Sequence, residues 1–535
     1  MLFVLVGLCA ITVICVTVGK RFGLPYPILM MLASIVLTFI PGFTVPVIDP
    51  DLILELFLPP LLFATARNTS WSVFRKRWHL LLAMAVGLTT LTAFLAALTL
   101  WWVVPGVTFT LALVAGAAVA PPDPVAVEAV SGSARIPRQI MMLLQSEGLF
   151  NDAVAIVIFQ TSLAAVEAGR TSISPTIILD FLLGALVAVA VGLMMGYLYR
   201  VVDKLTPDVA ARVIVSVVTP FAAYLIAEHL HASGVIAVVV AALETNRRAR
   251  AEDSETRIAR STFWEIANLL VTGIAFGLIG LQMRNVFTGG DDIRSYLVPV
   301  TVLVIVLFAV RFLFVLTMGR LIIKTSVRKF VSSAVLLTWS GMRGLATLAL
   351  ALALPEMGKT SSGMDERHLV VVLAASVIFV TLVPTGLTLP WLSRKLVPPQ
   401  KTRTIAQIAQ IVRTSQHAAV KAVEEEFPHD SFADELNNAL ERRFETLREE
   451  LKMSEQIDAH DNASSTAAVG EGNNGSDENS ISHRTQHYQR MMTVALDAAC
   501  EAVLHARSDI DVDPELADRV LRILDQRMMV VTRRD

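Results

Sequence analysis

The sequence predicts an all-α membrane protein that crosses the bilayer many times, and three observations support this fold class. Hydrophobic residues make up 54% of the 535-residue chain and charged residues only 17%, with a mean hydropathy of +0.60. Apolar stretches of about 20 residues, the length that spans a bilayer as a helix, recur along the first 397 residues. Basic residues occur in alternate loops between these stretches, as expected when positively charged loops stay on one side of the membrane.

We predict about thirteen transmembrane helices. Their approximate ranges are 2–19, 25–41, 51–66, 79–101, 107–131, 137–164, 175–199, 208–228, 232–246, 262–283, 295–319, 329–353 and 367–392. The first stretch follows no basic segment and is itself followed by Lys20 and Arg21, which favours a retained span with an outside N-terminus over a signal peptide. Every second loop then carries basic residues, at 20–21, 67–77, 135–138, 200–212, 247–260 and 320–329. This pattern predicts a multi-pass protein of the plasma (inner) membrane whose C-terminal tail is cytoplasmic.

The composition changes after residue 397, so we divide the chain into a transmembrane domain, 1–397, and a helical cytoplasmic tail, 398–535. Apolar residues recur at helical spacing over 402–426, 430–456, 484–507 and 513–530. Asp513 and Pro514 suit the N-cap and first turn of the last of these helices. Residues 458–483 contain few large apolar side chains and are predicted to be a disordered linker. We expect the tail to bind a regulator or to assist dimerisation.

Several classes of function are disfavoured by the composition. The net charge of −2 and the absence of a basic block give no reason to expect a nucleic-acid partner. Cys9, Cys15 and Cys500 are too few and too badly spaced for a disulfide framework. The tail offers no nucleophile and base at a recognisable spacing, and we expect the chain to be a transporter with no cofactor rather than an enzyme.

The sixth span carries polar residues at membrane depth. Glu147, Asn151 and Asp152 lie within the apolar run from Ile140 to Thr161. Ionisable groups there cost roughly 3 to 17 kcal/mol and persist mainly where they serve a transport pathway. Because an α-helix turns by about 100° per residue, Glu147 and Asn151 share one side, whereas Asp152 lies over Gly148. We expect the missing side chain of Gly148 to leave room beside the Asp152 carboxylate for an ion or water.

The fifth span contains a proline pair that predicts a break in the helix. Pro121 and Pro122 remove two backbone donors, after which Asp123 can act as N-cap and Pro124 as the first residue of a restarted half-helix. Broken helices at this depth occur where they are buried in protein or line a cavity, and their ends bind ions in transporters. The alternative is a proline kink with a structural aspartate.

A second break is predicted in the twelfth span. Gly341 and Gly344 flank Arg343 there, and two glycines allow a break or a close approach of helices. Arg343 is one of two clear cations within the spans.

The other cation is Arg311 in the eleventh span, and each arginine needs a partner if it is buried. We predict an ion pair between Glu147 and Arg343. Arg311 is expected to be structural, with Glu265 as a possible partner. Such a pair need not add stability, but losing one member is costly.

Four segments of the chain resemble the monovalent cation/proton antiporter-1 family, the bacterial sodium/proton antiporters related to animal sodium/proton exchangers. They are Glu147–Ala153, Pro121–Pro124, Phe263–Glu265 and Gly341–Gly344. The resemblance covers roughly residues 1–395. It implies a thirteen-span fold of two inverted six-helix repeats, broken fifth and twelfth helices that cross, and a homodimer in which a six-helix core moves against an interface domain.

The resemblance also implies residue roles. Asp152 binds the transported sodium ion or the proton, and Asn151 supports it. Glu147 and Arg343 form an ion pair, and Asp123 neutralises the crossing helix ends. We therefore expect Asp152, Asn151 and Asp123 to be the ion- or proton-binding residues.

The sequence departs from the family pattern at three positions. Pro122 replaces a common threonine, Gly148 replaces a frequent serine, and Ala64 replaces an acidic residue found in some members. The first two changes remove oxygen ligands, which backbone carbonyls or water can replace.

The preferred hypothesis for function is electroneutral exchange of sodium, or of lithium or potassium, for a proton. Burial disfavours the charged form of Asp152, and a cation can replace the proton only when this carboxyl group is ionised. Because its neighbour is Asn151, only one negative charge is available per cycle. The alternatives are a passive channel or an organic-anion carrier that uses the half-helix ends and Arg343, and a sensor that signals through the tail.

Overall fold

The computed structural model describes residues 2–40, 50–68, 79, 83–131, 138–168, 176–247, 254–288, 294–322, 327–355, 358, 365–396, 401–428, 431–457, 478–507, 512 and 514–532. This part of the chain is helical and contains no strand.

In the described part of the chain, fifteen α-helices precede the tail. They are α1 (Leu2–Phe22), α2 (Tyr26–Leu37), α3 (Pro50–Asn68), α4 (Thr89–Val103), α5 (Phe109–Val119), α6 (Pro124–Ser131), α7 (Arg138–Glu167), α8 (Thr176–Leu205), α9 (Val209–His229), α10 (Gly234–Arg247), α11 (Ser254–Thr288), α12 (Arg294–Ile322), α13 (Val327–Trp339), α14 (Leu345–Leu352) and α15 (Glu366–Leu396). A π-helical segment, Ala83–Leu88, leads into α4.

Within the described residues, each predicted span coincides with one α-helix, except the fourth, which comprises the π-helical segment and α4, and the fifth and twelfth, which each comprise two consecutive α-helices. The structure therefore confirms an all-α, multi-pass membrane fold. Within the described residues, nine helices are long and apolar enough to cross a bilayer, and α2 and residues 234–245 of α10 are shorter apolar segments. The count of thirteen spans and the inverted repeats stay predictions.

Helix α5 is buried on every side. Every residue from Thr110 to Val119 is buried, as expected of a helix that is apolar all round. Gly116 allows its close contact with α4, because a Cβ there would lie 2.9 Å from the backbone nitrogen of Ala97. This packing places the end of α5, and the break that follows it, in the protein interior.

Helix α7 lies between two apolar cores. Leu144 and Phe159 belong to the larger core, which includes α5 and α15. Ala153 belongs to a second core formed with α3, α8, α9, α10 and the first part of α11. In that core the rings of Phe63 and Trp264 are 5.1 Å apart. The polar residues at the middle of α7 are therefore enclosed by protein.

The tail contains α16 (Lys401–Glu426), α17 (Ser431–Ile457), α18 (Glu478–Arg507) and α19 (Pro514–Thr532). Buried side chains from all four helices form a third core. Residues 458–477 of the predicted linker lie outside the described residues. The prediction is wrong at 478–483, because α18 already begins at Glu478. The predicted N-cap, Asp513, also lies outside the described residues, and α19 begins at Pro514.

Candidate functional site

The first helix break lies between α5 and α6. Pro121 and Pro122 follow the last turn of α5 and cannot donate backbone hydrogen bonds. Asp123 then caps α6, since its Oδ1 accepts hydrogen bonds from the backbone nitrogens of Val125 (2.9 Å) and Ala126 (3.3 Å). The N-terminus of a half-helix therefore meets a carboxylate inside the membrane domain.

The second break lies between α13 and α14 and contacts the first directly. The backbone nitrogen of Leu345, at the start of α14, donates to Oδ2 of Asp123 at 3.2 Å. The backbone nitrogen of Asp123 donates to the carbonyl oxygen of Met342 at 2.7 Å. A Cβ on Gly344 would overlap the Asp123 carboxylate, so glycine is required for this approach. Asp123 thus caps the N-termini of both restarted half-helices.

Arg343 occupies the opposite ends of the broken helices. Its Nε donates to the carbonyl oxygen of Val119 at 3.1 Å, and Nη2 donates to that of Ala120 at 3.5 Å. Nη1 donates to the carbonyl oxygen of Gly341, just after α13. The side chain is buried, and it satisfies C-terminal carbonyls of α5 and α13 that have no partner within their own helices. A cation is also favoured there by the helix dipole.

The predicted ion pair between Glu147 and Arg343 is wrong, because the two side chains are not paired in the structure. Glu147 pairs with Arg311 instead, through Nη1–Oε1 at 2.6 Å and Nη2–Oε2 at 2.9 Å. Nε of Arg311 donates to the carbonyl oxygen of Leu337 at 2.9 Å. Arg311 can present this bidentate fork to the carboxylate, whereas the guanidinium of Arg343 is engaged by carbonyl oxygens. The buried pair joins α7 to α12 and α13.

The suggested contact between Arg311 and Glu265 is also wrong. Glu265 is exposed and lines a different cavity, next to the tail. Both errors have one cause, since the helical pattern identifies buried arginines but not which of two carboxylates faces each one.

Asn151 joins α7 to the first break. Its Nδ2 donates to the carbonyl oxygen of Pro122 at 2.9 Å, and its Oδ1 accepts from the backbone nitrogen of Asp152 at 2.7 Å. The amide therefore satisfies a carbonyl left free where the proline pair interrupts α5.

Asp152 faces a small cavity at the crossing of the two breaks. The cavity has a volume of about 30 Å³, and its lining includes Asp123, Asp152 and Thr347. This is room for one water molecule or one small ion. Asp152 is 6% exposed, and in the described part of the chain its carboxylate takes part in no ion pair. The hydroxyl oxygen of Thr347 is buried and has no hydrogen-bond partner among the described residues.

Gly148 lies between the cavity at Asp152 and the first residue of α6. A Cβ on Gly148 would overlap the ring of Pro124. The missing side chain lets α7 pack against the start of α6, and Gly148 also lines the cavity at Asp152, so the expected room beside this carboxylate is present. The cavity lies where the two breaks cross and is also lined by residues of α3, α7 and α11.

Thr347 was missed by the sequence reasoning. A threonine in an apolar span usually bonds to the carbonyl four residues earlier, as Thr65 does with Leu61 at 2.9 Å. The sequence feature that could have identified Thr347 is its position one turn after the predicted break at Gly341–Gly344.

The charges at the crossing do not balance. The described residues at the crossing include three buried or half-buried carboxylates, those of Asp123, Glu147 and Asp152. They also include two buried guanidinium groups, those of Arg311 and Arg343. The ionised site has one more negative than positive charge. A proton or a single monovalent cation at Asp152 makes it neutral.

These features define a class of protein, a multi-pass membrane transporter with an acidic site at two crossing broken helices. A family model described as "Sodium/hydrogen exchanger, transmembrane" matches residues 8–395. The chain therefore belongs to the sodium/hydrogen exchanger family.

Relatives and solved structures agree with this assignment. The chain is 30% identical over 427 residues to a "Sodium, potassium, lithium and rubidium/H(+) antiporter" of Bacillus pumilus, with 76% of this chain and 63% of that relative covered. It thus spans less than two thirds of the length of that relative. It is 30% identical over 490 residues to an uncharacterized Na(+)/H(+) exchanger of Mycobacterium bovis, with 87% of each covered.

The sodium proton antiporter MjNhaP1 of Methanocaldococcus jannaschii, solved at pH 8, has a similar fold. Its TM-score is 0.57 at 19% identity, over 74% of this chain and 98% of the solved chain.

Proposed function

We propose that the chain exchanges a monovalent cation for a proton across the membrane by alternating access. The observation that carries the proposal is the small cavity at Asp152, whose surroundings hold one uncompensated negative charge. Burial disfavours an ionised carboxylate that has no cationic partner. Asp152 therefore gains from binding either a proton or a cation, and the two compete for the same oxygens.

Sodium is the proposed substrate, and lithium and potassium are candidates. The printed names of the relatives support this choice, since the Bacillus pumilus protein is named for sodium, potassium, lithium and rubidium. Hard cations of this kind prefer oxygen ligands, and Asp152 is proposed to supply the first.

Thr347 is proposed to supply a second oxygen ligand. Its buried hydroxyl lines the same cavity as Asp152. In the family pattern, oxygen ligands are expected where this chain has Pro122 and Gly148, and neither side chain has an oxygen. A hydroxyl from α14 offsets that loss, and we expect Thr347→Val to weaken apparent cation affinity more than proton affinity.

One-for-one, electroneutral exchange follows from the charge balance. Asn151 is neutral, so binding at Asp152 compensates one charge per cycle. Asp123 is held by three backbone nitrogens at two helix N-termini. It is proposed to fix the charge of the crossing rather than to carry the transported ion.

The organic-anion carrier is less well supported by the same contacts. An anion would need the half-helix N-termini or Arg343, but Asp123 already caps both N-termini. Arg343 donates to carbonyl oxygens of two helix ends. Neither group is open to a substrate carboxylate.

The test is proton flux in proteoliposomes on addition of sodium, lithium or potassium. We expect Asp152→Asn to abolish cation-dependent proton movement. Asp208→Asn is the matched control, because Asp208 is an exposed N-cap of α9 whose Oδ2 accepts from the backbone nitrogen of Ala211 at 2.8 Å. Full flux in Asp152→Asn, or accumulation driven by membrane potential alone, would exclude the proposal.

We further propose the location of the protein in the cell, its orientation in the membrane and its oligomeric state. The basic residues at the tail side of α1 and α8, such as Lys20 and Arg200, support an outside N-terminus, a cytoplasmic tail and a location in the plasma membrane. The boundary near residue 397 is supported by the separate core of the tail. A homodimer is proposed from the family resemblance, and cross-linking in native membranes tests it.

A further inference from the structure

A second, larger cavity lies where the tail meets the membrane helices. It has a volume of about 270 Å³ and lies between α18 and α19 of the tail and the neighbouring ends of α3, α8, α9, α10 and α11. Five arginines line it: Arg67, Arg257, Arg260, Arg507 and Arg522. Three come from the membrane helices and two from the tail, so both sides contribute positive charge.

An ion pair closes one side of this cavity. Nη2 of Arg257 on α11 lies 2.5 Å from Oδ1 of Asp525 on α19, and its Nε lies 3.0 Å from Oδ2. Asp525 is buried, and a bidentate pair at a partly buried site is stronger than an exposed one. This bridge fixes α19 against the start of α11.

The carboxylates of the lining do not balance its arginines. Arg260 pairs with Asp203 at 2.8 Å, and Arg507 pairs with Asp518 at 2.7 Å. Glu265 is the third acidic residue of the lining, with Asp518 and the aspartate of the bridge. Within the lining the five arginines outnumber the three carboxylates, and Asp203 and Asp497 add negative charge beside it.

The excess charge is concentrated at the boundary between tail and membrane helices. The guanidinium of Arg67 lies near those of Arg260 and Arg507, which repel it, and near the carboxylate of Asp518, which attracts it. Like charges are held together here by the packing of α19 on α11. An anion that contacts groups from both sides would relieve this repulsion.

We propose that this cavity binds a phosphate-bearing anion and that binding tightens the contact between the tail and the membrane helices. Arginine is well suited to phosphate because its planar guanidinium donates two parallel hydrogen bonds to the oxygens. Two or more arginines that converge on one cavity favour a phosphate group, whose several oxygens can accept hydrogen bonds from more than one guanidinium at once.

The size of the cavity limits the ligand. Small-molecule pockets usually measure about 300–1,000 Å³, so about 270 Å³ fits a nucleoside monophosphate, a sugar phosphate or a lipid headgroup. Larger dinucleotides do not fit. The side chains of Phe63 and Tyr199, which also line the cavity, offer an apolar wall for the rest of such a ligand.

The first experiment measures binding to the purified full-length chain at constant ionic strength. Inorganic phosphate, AMP and adenosine are the probes, and the readouts are the thermal midpoint and hydrogen exchange of residues 514–532. We expect AMP to raise the midpoint and to slow exchange in α19, with phosphate weaker and adenosine without effect. These readouts do not depend on transport. Failure of the anion-binding proposal can therefore be distinguished from failure of the proposed antiport.

The variants identify the site. Arg507→Gln with Arg522→Gln should weaken AMP binding by about a hundredfold, roughly tenfold for each lost arginine. Arg522 is exposed, so Arg522→Gln alone should fold normally and weaken binding about tenfold if the double variant does not fold. Arg442→Gln is the matched control, because Arg442 is an exposed tail arginine away from the lining.

A second arm separates the two sources of phosphate. Vesicles of phosphatidylcholine are compared with vesicles that contain an equal part of phosphatidylglycerol, without soluble phosphate. Slower exchange in α19 only with phosphatidylglycerol assigns the site to a lipid headgroup, and protection by AMP in phosphatidylcholine assigns it to a soluble ligand. No protection in either arm, or protection unchanged in Arg522→Gln, overturns the proposal.

Discussion

The two broken helices have the same architecture but opposite chemistry. The break between α5 and α6 is made by Pro121 and Pro122, and the residue that follows is an acid that caps two N-termini. The break between α13 and α14 has glycines, and its charged residue is Arg343, which binds two C-terminal ends. Each break supplies the charge that the other lacks, so neither is complete alone.

The largest effect should come from removing the cation of this arrangement. Arg343→Gln leaves buried carbonyls of two helix ends without a strong donor, and we expect the free energy of unfolding to fall by about 3–5 kcal/mol. Thermal unfolding of the purified protein measures it. Arg367→Gln is the matched control, since Arg367 also donates to the end of α14, at Leu354 (2.7 Å), but is only half-buried. The free energy of unfolding should fall by only about 1 kcal/mol in Arg367→Gln. Equal losses in the two variants would contradict the special role of Arg343 at the two helix ends.

The buried ion pair beside the breaks should give the next largest effect. Glu147→Gln and Arg311→Met each leave a buried charge without its partner, at a cost of about 3–5 kcal/mol. The double variant should be less damaged than the sum, with a coupling of about 2 kcal/mol. A double-mutant cycle between Glu147 and Arg343 should give a coupling energy at least about 1 kcal/mol smaller than the cycle between Glu147 and Arg311. If the second cycle gives the larger value, the pairing is the one first expected from the sequence.

A substitution at Gly148 tests how closely α7 approaches the first break. Gly148→Ser places a Cβ where the ring of Pro124 lies, and we expect a loss of about 1–3 kcal/mol from overpacking. Cation-dependent flux should fall rather than improve, although serine adds an oxygen. Gly7→Ser is the control, because a Cβ at Gly7 meets no atom within 4 Å. Improved cation affinity in Gly148→Ser would show that the ring moves aside.

The smallest effect should come from changing only the charge of the N-terminal cap. Asp123→Asn keeps one side-chain oxygen for capping, so we expect a stability loss of about 1 kcal/mol. Asp123→Ala removes the cap of both half-helices and should cost about twice as much. Thermal midpoints of the two variants, measured side by side, give the difference. Identical midpoints would mean that the side-chain oxygen kept in Asp123→Asn contributes nothing to capping.

The sequence predicts those parts of the site that depend on local chain chemistry. A proline pair interrupts a helix wherever it occurs, and an aspartate before a proline caps the next one, so Asp123 could be placed from its neighbours. The partner of Glu147 could not, because Arg311 is 164 residues away in the chain. The role of Arg343 was accessible in principle, since a broken helix leaves carbonyl groups that need donors. The contact of Gly148 with Pro124 depends on packing between α6 and α7, which no spacing rule contains.

The exchange of caps between the two breaks has a mechanical consequence. A helix interruption normally acts as a hinge, because its free ends can bend independently. Here Asp123 holds the two starting ends together and Arg343 holds the two finishing ends together. The crossing is therefore stiff, and any displacement of α5 and α6 must carry α13 and α14 with it. A cation bound at Asp152 would travel with its ligands instead of being passed from one set to another.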